Sequence, residues 1–341
     1  MRVVRCAAAK PPAPIKDAPP PILDDARLAQ ARAIHARFPL AHLRPLPLLR
    51  AAELDAVADP SGKTRVWLAV ESMQVTGSFK IRGALLAMAN LAAKNIDVVA
   101  ASAGNHGAAV AFAAKLLKMK ARVVVPATAP KVKCERIADG AEVVTSEAAG
   151  YDEAEDLAKR IAEESGAYFL SPYDDLDVIA GNGASLGFEI ESALGKKPDC
   201  VIVPFGGGGL ATGLACALPN SAVWGVQSEA SPAMAISLEK SEAVEKFLPT
   251  MPTLAEGLEG GISKRAFDRA RQVVAGVVVV DESCILHAMK YAVKELGLVL
   301  EGSAAAALAA ILEGAPNELR GGDVVVVLTG RNTDQPLGKM S

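Results

Sequence analysis

Four short stretches of the chain put reactive groups where chemistry would need them. Thr76-Gly77-Ser78-Phe79-Lys80 ends a loop and opens a helix. The positive end of a helix dipole disfavours an ammonium, so Lys80 there could act as an amine nucleophile and form a Schiff base. Taken alone, Ser78-Phe79-Lys80 reads equally as a capped helix with a surface lysine. Ser102-Ala103-Gly104-Asn105-His106-Gly107 follows a strand-like run and precedes a helix. Free backbone N–H groups at such a junction suit a carboxylate or a phosphate, and the Asn105 amide could donate to a ligand oxygen. Gly206-Gly207-Gly208-Gly209 follows Val201-Ile202-Val203. Four successive glycines let backbone N–H groups wrap a phosphate closely, with the next helix dipole behind it. No Lys-Ser/Thr pair follows, as a Walker loop requires, and the spacing is not that of a dinucleotide fingerprint. Leu328-Thr329-Gly330-Arg331-Asn332 closes the last strand-like run, with a hydroxyl that could bond a ring nitrogen.

The elements that must position these groups alternate. Asp24 to Arg37 reads as a helix, Arg65 to Val70 as a strand and Lys80 to Lys94 as a helix. Val98 to Ala100, Val123 to Val125, Val143-Val144 and Tyr168 to Leu170 read as strands, with helices over Gly107 to Lys118, Val132 to Asp139 and Asp152 to Glu164 between them. A second alternation starts near Ile179, with strands at Val201 to Val203, Val223 to Val226, Val277 to Val280 and Val324 to Leu328. Short β-branched runs separated by helices predict an α/β fold with two open parallel sheets, covered on both faces. Ligands in such folds sit at the C-terminal ends of the strands, against helix N-termini, where these motifs fall.

Composition narrows the classes. A chain of 341 residues with 51% hydrophobic residues can build sizeable cores, about two domains' worth, and is not intrinsically disordered overall. The 36 basic and 39 acidic residues nearly cancel, to a net charge of -3, so no global attraction to nucleic acid or anionic membrane is expected. No segment reaches the length of a bilayer span, and the purest apolar runs, such as Val273 to Val280, are short and read as buried strands. Residues 1–22 read as a proline-rich disordered leader rather than a signal peptide. The five cysteines form no C-x-x-C, and the four histidines have no metal-ligand spacing, so a reducing, cytoplasmic setting is expected.

Lysine motif, asparagine loop, tetraglycine and terminal hydroxyl, in this order, resemble the fold-type II pyridoxal-phosphate (PLP) enzymes, the tryptophan synthase β-like kind. The threonine/serine dehydratase and serine racemase group looks most similar. The resemblance runs over residues 40 to 335. It takes in Glu71, Gln74, Lys80-Ile81-Arg82-Gly83-Ala84, Ser171-Pro172-Tyr173-Asp174-Asp175 and Ile179-Ala180-Gly181-Asn182-Gly183. The resemblance implies that Lys80 carries PLP as a Schiff base and removes the substrate Cα proton. It implies that Phe79 packs beside the ring and Asn105 bonds the ring hydroxyl. Gly206, Gly207, Gly208, Gly209 and the Leu210 amide would hold the phosphate, and Thr329 would meet the pyridine nitrogen. Ser102, Ala103, Gly104, Asn105 and His106 would line the substrate carboxylate site, and Tyr173 would border the side-chain pocket. It further implies a large PLP-binding domain over 23–91 and 173–341, a small mobile domain over 92–172 that closes on substrate, and a homodimer or homotetramer. The activity implied is β-elimination of a 3-hydroxy amino acid, L-threonine or L-serine, to a 2-keto acid and ammonia. Rivals are an amino-acid racemase, a 3-hydroxyaspartate or phenylserine dehydratase, a β-replacement synthase and a non-catalytic PLP carrier.

Departures from the family pattern sharpen this. Racemases carry a serine where this chain has Ala103, which cannot transfer a proton, so elimination is favoured. Several relatives hold a divalent cation just after the strand that follows the tetraglycine. Here Gln227 and Ala233 stand at the acidic positions and Glu229 is a stray acid, so no structural metal is expected. Arg331 replaces a usual glycine and reads either as a charge facing the site or as a surface arginine. Glu71 follows Ala69-Val70, where relatives often have a basic pair, which bears on the substrate. Only Thr333 to Ser341 follow Asn332, so an appended isoleucine-sensing domain is not expected.

Overall fold

The computed structural model describes residues 5–8, 21–148, 150–313 and 317–333. Eleven strands are found among them: β1 Arg5–Ala8, β2 Leu48–Arg50, β3 Thr64–Val70, β4 Val98–Ala101, β5 Ala121–Val125, β6 Glu142–Thr145, β7 Tyr168–Phe169, β8 Cys200–Pro204, β9 Ala222–Ser228, β10 Gly276–Val280 and β11 Gly322–Leu328. They form a seven-stranded sheet in the order β1-β10-β9-β8-β11-β3-β2 and a four-stranded sheet in the order β6-β5-β4-β7. Every pairing is parallel except the two edges of the large sheet, where β1 runs antiparallel to β10 and β2 antiparallel to β3. The expected parallel sheets are therefore present, and the larger one is capped at both edges by short antiparallel strands. β1 lies inside the stretch read as a disordered leader, and residues 9–20 of that stretch fall outside the described residues.

The strand period of two assigns the buried side chains to opposite faces. Val325 and Val327 of β11 join one core, with Val201 and Val203 of β8. Val324, Val326 and Leu328, with Cys200 and Ile202, join the other. The first core continues under the small sheet through Val98, Ala100, Val123 and Val125, while Val99, Ala101 and Val124 face a third core closed by the Tyr151–Ser165 helix. The two sheets thus share one apolar seam, and it is roofed by the Lys80–Ala92 and Asn105–Leu117 helices. The strands of the small sheet fall within the 92–172 span. No helix among the described residues is long and apolar enough to cross a membrane.

The reading differs from the structure at several element ends. Val273 still belongs to the Lys264–Val273 helix, and β10 starts only at Gly276. The first helix is broken at Ala33 into Asp25–Arg32 and Ile34–Arg37. The helix expected from Gly107 begins at Asn105, so Asn105 and His106 are its first turn rather than loop.

Close helix contacts fix the position of Lys80. A Cβ on Gly181 would sit 2.6 Å from the Arg82 carbonyl oxygen, and one on Gly83 would sit 2.7 Å from the Asn182 side chain. Asn182 Oδ1 accepts from Gly83 N at 2.8 Å. Arg82, two residues past the lysine, is fully buried and donates to both oxygens of the equally buried Glu71 at 2.8 Å. It also pairs with Glu189, which takes His35 Nε2 at 2.7 Å and Leu46 N at 2.8 Å. Burial works against the Arg82 charge, but Glu71 and Glu189 together outweigh it and hold the guanidinium well above its ordinary range. Glu71, read as bearing on the substrate, is thus engaged in anchoring the helix that carries Lys80.

Candidate active site

All four motifs lie at the C-terminal ends of parallel strands. The lysine motif follows β3, the asparagine loop β4, the tetraglycine β8 and the Thr329 segment β11. Phe79 N donates to the Thr329 carbonyl at 3.0 Å, and Ser78 pairs with Gly330 as an isolated antiparallel bridge. Thr329 itself is buried. The lysine motif and the terminal hydroxyl are therefore bound together, although some 250 residues separate them in sequence.

Lys80 opens the Lys80–Ala92 helix. Its Nζ donates to the Pro172 carbonyl at 2.9 Å and lies 5.0 Å from the centre of the Phe79 ring. Loss of water around the amine lowers its pKa from 10.5 to about 8, partly opposed by the charge of Glu301. Desolvation is the largest cause of this shift. Tyr173, next to Pro172, covers the tetraglycine. A Cβ on Gly207 would overlap its ring and one on Gly209 its backbone. Gly208 has φ +83°, a left-handed conformation that glycine adopts without strain. Gly209 and Leu210 form the first turn of the Gly209–Ala217 helix, whose unpaired N–H groups face the loop end. Asp174 fixes this turn to the Lys264–Val273 helix, accepting from Arg269 Nη1 and Arg265 Nη2 at 2.6 Å.

In the asparagine loop, Ser102 Oγ accepts from Gly104 N at 3.1 Å, and the Asn105–Leu117 helix begins at the next residue. Ala103 is half-buried. His106 is buried, with Nε2 3.0 Å from the Leu170 carbonyl. A carbonyl only accepts, so Nε2 carries the proton and Nδ1 has the lone pair. Burial, then the nearby Lys80 charge, pushes His106 down to about 3, so it stays neutral. Among the described residues, two buried side-chain polar atoms lack a partner, His106 Nδ1 and Ser78 Oγ, and both belong to these motifs.

Glu301 was not singled out from the sequence, and Asn332 stood at the end of the terminal motif with no role assigned to it. Asn105 Nδ2 donates to Glu301 Oε1 at 2.8 Å and Oε2 at 3.0 Å. Asn332 Nδ2 donates to Asn105 Oδ1 at 2.6 Å and to the Thr76 carbonyl at 2.9 Å, so it ties the asparagine loop to the lysine loop. The local signal for Glu301 was a lone acid between the apolar run Leu298-Val299-Leu300 and the apolar helix Gly302–Leu312. Arg331 is exposed, and its backbone N–H donates to the Gly77 carbonyl at 3.0 Å. Near the end of β9, Gln227 Oε1 accepts from Met234 N at 3.0 Å and Ala235 N at 3.1 Å, at the start of the Ala233–Lys240 helix. Glu229 Oε1 accepts from Glu282 N at 3.1 Å. Both side chains cap helices there.

A family model described as pyridoxal-phosphate dependent enzyme matches residues 40–330. The chain is 38% identical over 279 residues to an L-threonine ammonia-lyase of Thermotoga maritima, covering 79% of this chain and 67% of that protein. It is 35% identical over 301 residues to a catabolic L-threonine dehydratase of Staphylococcus aureus, covering 86% and 85%. Among solved structures it is similar to maize serine racemase, with a TM-score of 0.83 and 29% identity over 94% of this chain and 96% of that one.

Proposed function

The chain belongs to the pyridoxal-phosphate-dependent enzyme family, and from that premise we propose that it is an ammonia-lyase converting L-threonine or L-serine to a 2-keto acid and ammonia. The observation that carries the reading is the convergence of a desolvated amine, a glycine cradle and a helix-start asparagine at the ends of β3, β8 and β4. The threonine-lyase relatives support the substrate class.

The residues present fit PLP. The cradle at Gly207 and Gly209 has no room for a Cβ, which suits backbone approach to a phosphate. Ser78 Oγ of the lysine motif and His106 Nδ1 of the asparagine loop are buried polar atoms without a partner in the structure. Bound PLP supplies the electron sink for charge developing at the substrate Cα. Lys80 Nζ would anchor the cofactor, and its free amine would take the Cα proton, for which an amine with a pKa of about 8 is well matched. Gly206, Gly207, Gly208, Gly209 and the Leu210 N–H bind phosphate. Thr329 would offer a neutral hydroxyl to the ring nitrogen, which suits elimination better than a carboxylate would. The loop from Ser102 to His106 binds the substrate carboxylate through the N–H groups of its helix start. Phe79 would pack beside the ring and Tyr173 would border the substrate side chain. The unit over 92–172 closes the site, and contacts from the Lys131–Ala138 helix to Asn332 and Glu256 support such a closure.

The likeness to maize serine racemase favours a racemase as second reading. Ala103 counts against it, because no proton donor stands at that point of the loop. The test is 2-keto acid release from PLP-loaded protein given L-serine, L-threonine, 3-hydroxyaspartate and 3-phenylserine, each with its enantiomer. Release from L-threonine or L-serine, abolished in Lys80→Ala, is the expected result. Enantiomer interconversion without keto acid would overturn it.

A further inference from the structure

Glu301 is an acid at a place that tolerates little variation. It immediately precedes the Gly302–Leu312 helix, and its backbone N–H donates to the Gly330 carbonyl at 3.1 Å. A Cβ on Gly330 would sit 2.5 Å from Glu301 Oε1, so Gly330 makes the space that the carboxylate fills. Both carboxylate oxygens lie within hydrogen-bond distance of the same Asn105 nitrogen. Two oxygens of one carboxylate subtend a much smaller angle than two amide hydrogens do. One N–H of Asn105 is therefore shared between them, and the other is left for a ligand acceptor. Asn105 Oδ1 meanwhile accepts from Asn332 Nδ2, and Asn332 Oδ1 accepts from Arg136 Nη1 at 3.0 Å. The amide of Asn105 can point only one way while Glu301 is ionised. A protonated carboxyl could instead donate to Oδ1 and release the amide to turn.

We propose that Glu301 is a positioning residue for the cofactor: it fixes the face that Asn105 turns to the PLP ring and, by holding or releasing one proton, sets the charge behind that amide. The inference deepens the reading above and rests on PLP being joined to Lys80. Glu301 is placed to change state near neutrality. Burial raises it to about 7, outweighing the opposing pull of Asn105, of the Asn332 backbone and of the charges on Lys133 and Lys80. These groups, with Arg136 acting through Asn332, are the charged and polar partners that face it from the packed elements.

The test is the absorbance spectrum of the holoenzyme without substrate, titrated from about pH 5.5 to about pH 9. Borohydride reduction and peptide mass first locate the cofactor. An adduct absent from Lys80 would sink both this inference and the site assignment beneath it. With the adduct present, the wild type is expected to show a spectral step near neutrality. Glu301→Gln keeps the cofactor, because its amide oxygen still accepts from Asn105, but loses the step. Glu301→Asp keeps the step at a displaced pH, which a merely structural role would not produce. A Glu301→Gln titration that superimposes on the wild type overturns the role of Glu301 alone. Should that variant fail to fold, a wild-type spectrum unchanged across the range overturns it equally.

Discussion

Capture of PLP by the apoenzyme should follow the ionisation of Lys80. An exposed lysine titrates at 10.5, whereas loss of water brings this amine to about 8. At pH 7 about one tenth of Lys80 is then neutral, about 300-fold more than for a lysine in water. Below the pKa each unit rise in pH multiplies the nucleophilic form by about ten, and above it the supply saturates. The assay is stopped-flow absorbance on mixing apoenzyme with excess PLP, with the first-order rate plotted against pH at constant ionic strength. The logarithm of the rate is expected to rise with a slope of about one from about pH 6 and to level off near pH 8. The charge of Glu301 raises the Lys80 pKa, so Glu301→Gln should move the plateau to lower pH. A rate still climbing at about pH 10 would show a solvated amine and refute the argument from desolvation.

Other outcomes follow from named contacts. Gly207→Ala puts a methyl group into the Tyr173 ring, so PLP affinity by equilibrium dialysis should fall by about tenfold or more, at unchanged secondary structure by circular dichroism. Arg82→Met leaves Glu71 buried without its counter-charge and should cost about 3–5 kcal/mol of stability in chemical denaturation; a loss under about 1 kcal/mol would contradict the buried pair. Activity should survive a chelator, because Gln227 and Glu229 are committed to helix starts; complete loss restored by a divalent cation would contradict this. Ala103→Ser supplies a proton donor in the asparagine loop and should bring measurable racemisation of L-serine, read by chiral chromatography.

What the sequence disclosed was local, and what it concealed was paired at long range. The β-branched runs of β4, β5, β8 and β11 announced themselves because each is buried on both faces, leaving no polar alternation to confuse the period. The tetraglycine and the lysine motif were readable because backbone geometry at a strand-to-helix junction restricts residue type over a few positions. β2 was not readable: three residues after Pro45 and Pro47 carry no period, and the strand exists only because β3 offers an edge. The start at Asn105 was set too late because Gly104, the residue before it, supplies no side-chain cap to mark the boundary.

The same distinction explains the site. Lys80, Asn105 and Gly206 each sit on a motif with its own local reason, so their residue types were informative one at a time. Glu301 has no such motif, since its partner Asn105 is 196 residues away and the glycine that makes room for it, Gly330, lies on another segment. Glu71 misled for the related reason that its partner is a buried arginine 11 residues on, inside the helix of the catalytic lysine candidate. A lone acid in an apolar run signals only that something must compensate its burial. For Glu71 the compensation is a guanidinium, and the acid becomes structure. For Glu301 it is the Asn105 amide, the Asn332 backbone and the charges of Lys133 and Lys80, too little to hold it at the ordinary carboxylate range, and the acid is left able to change its charge within the site.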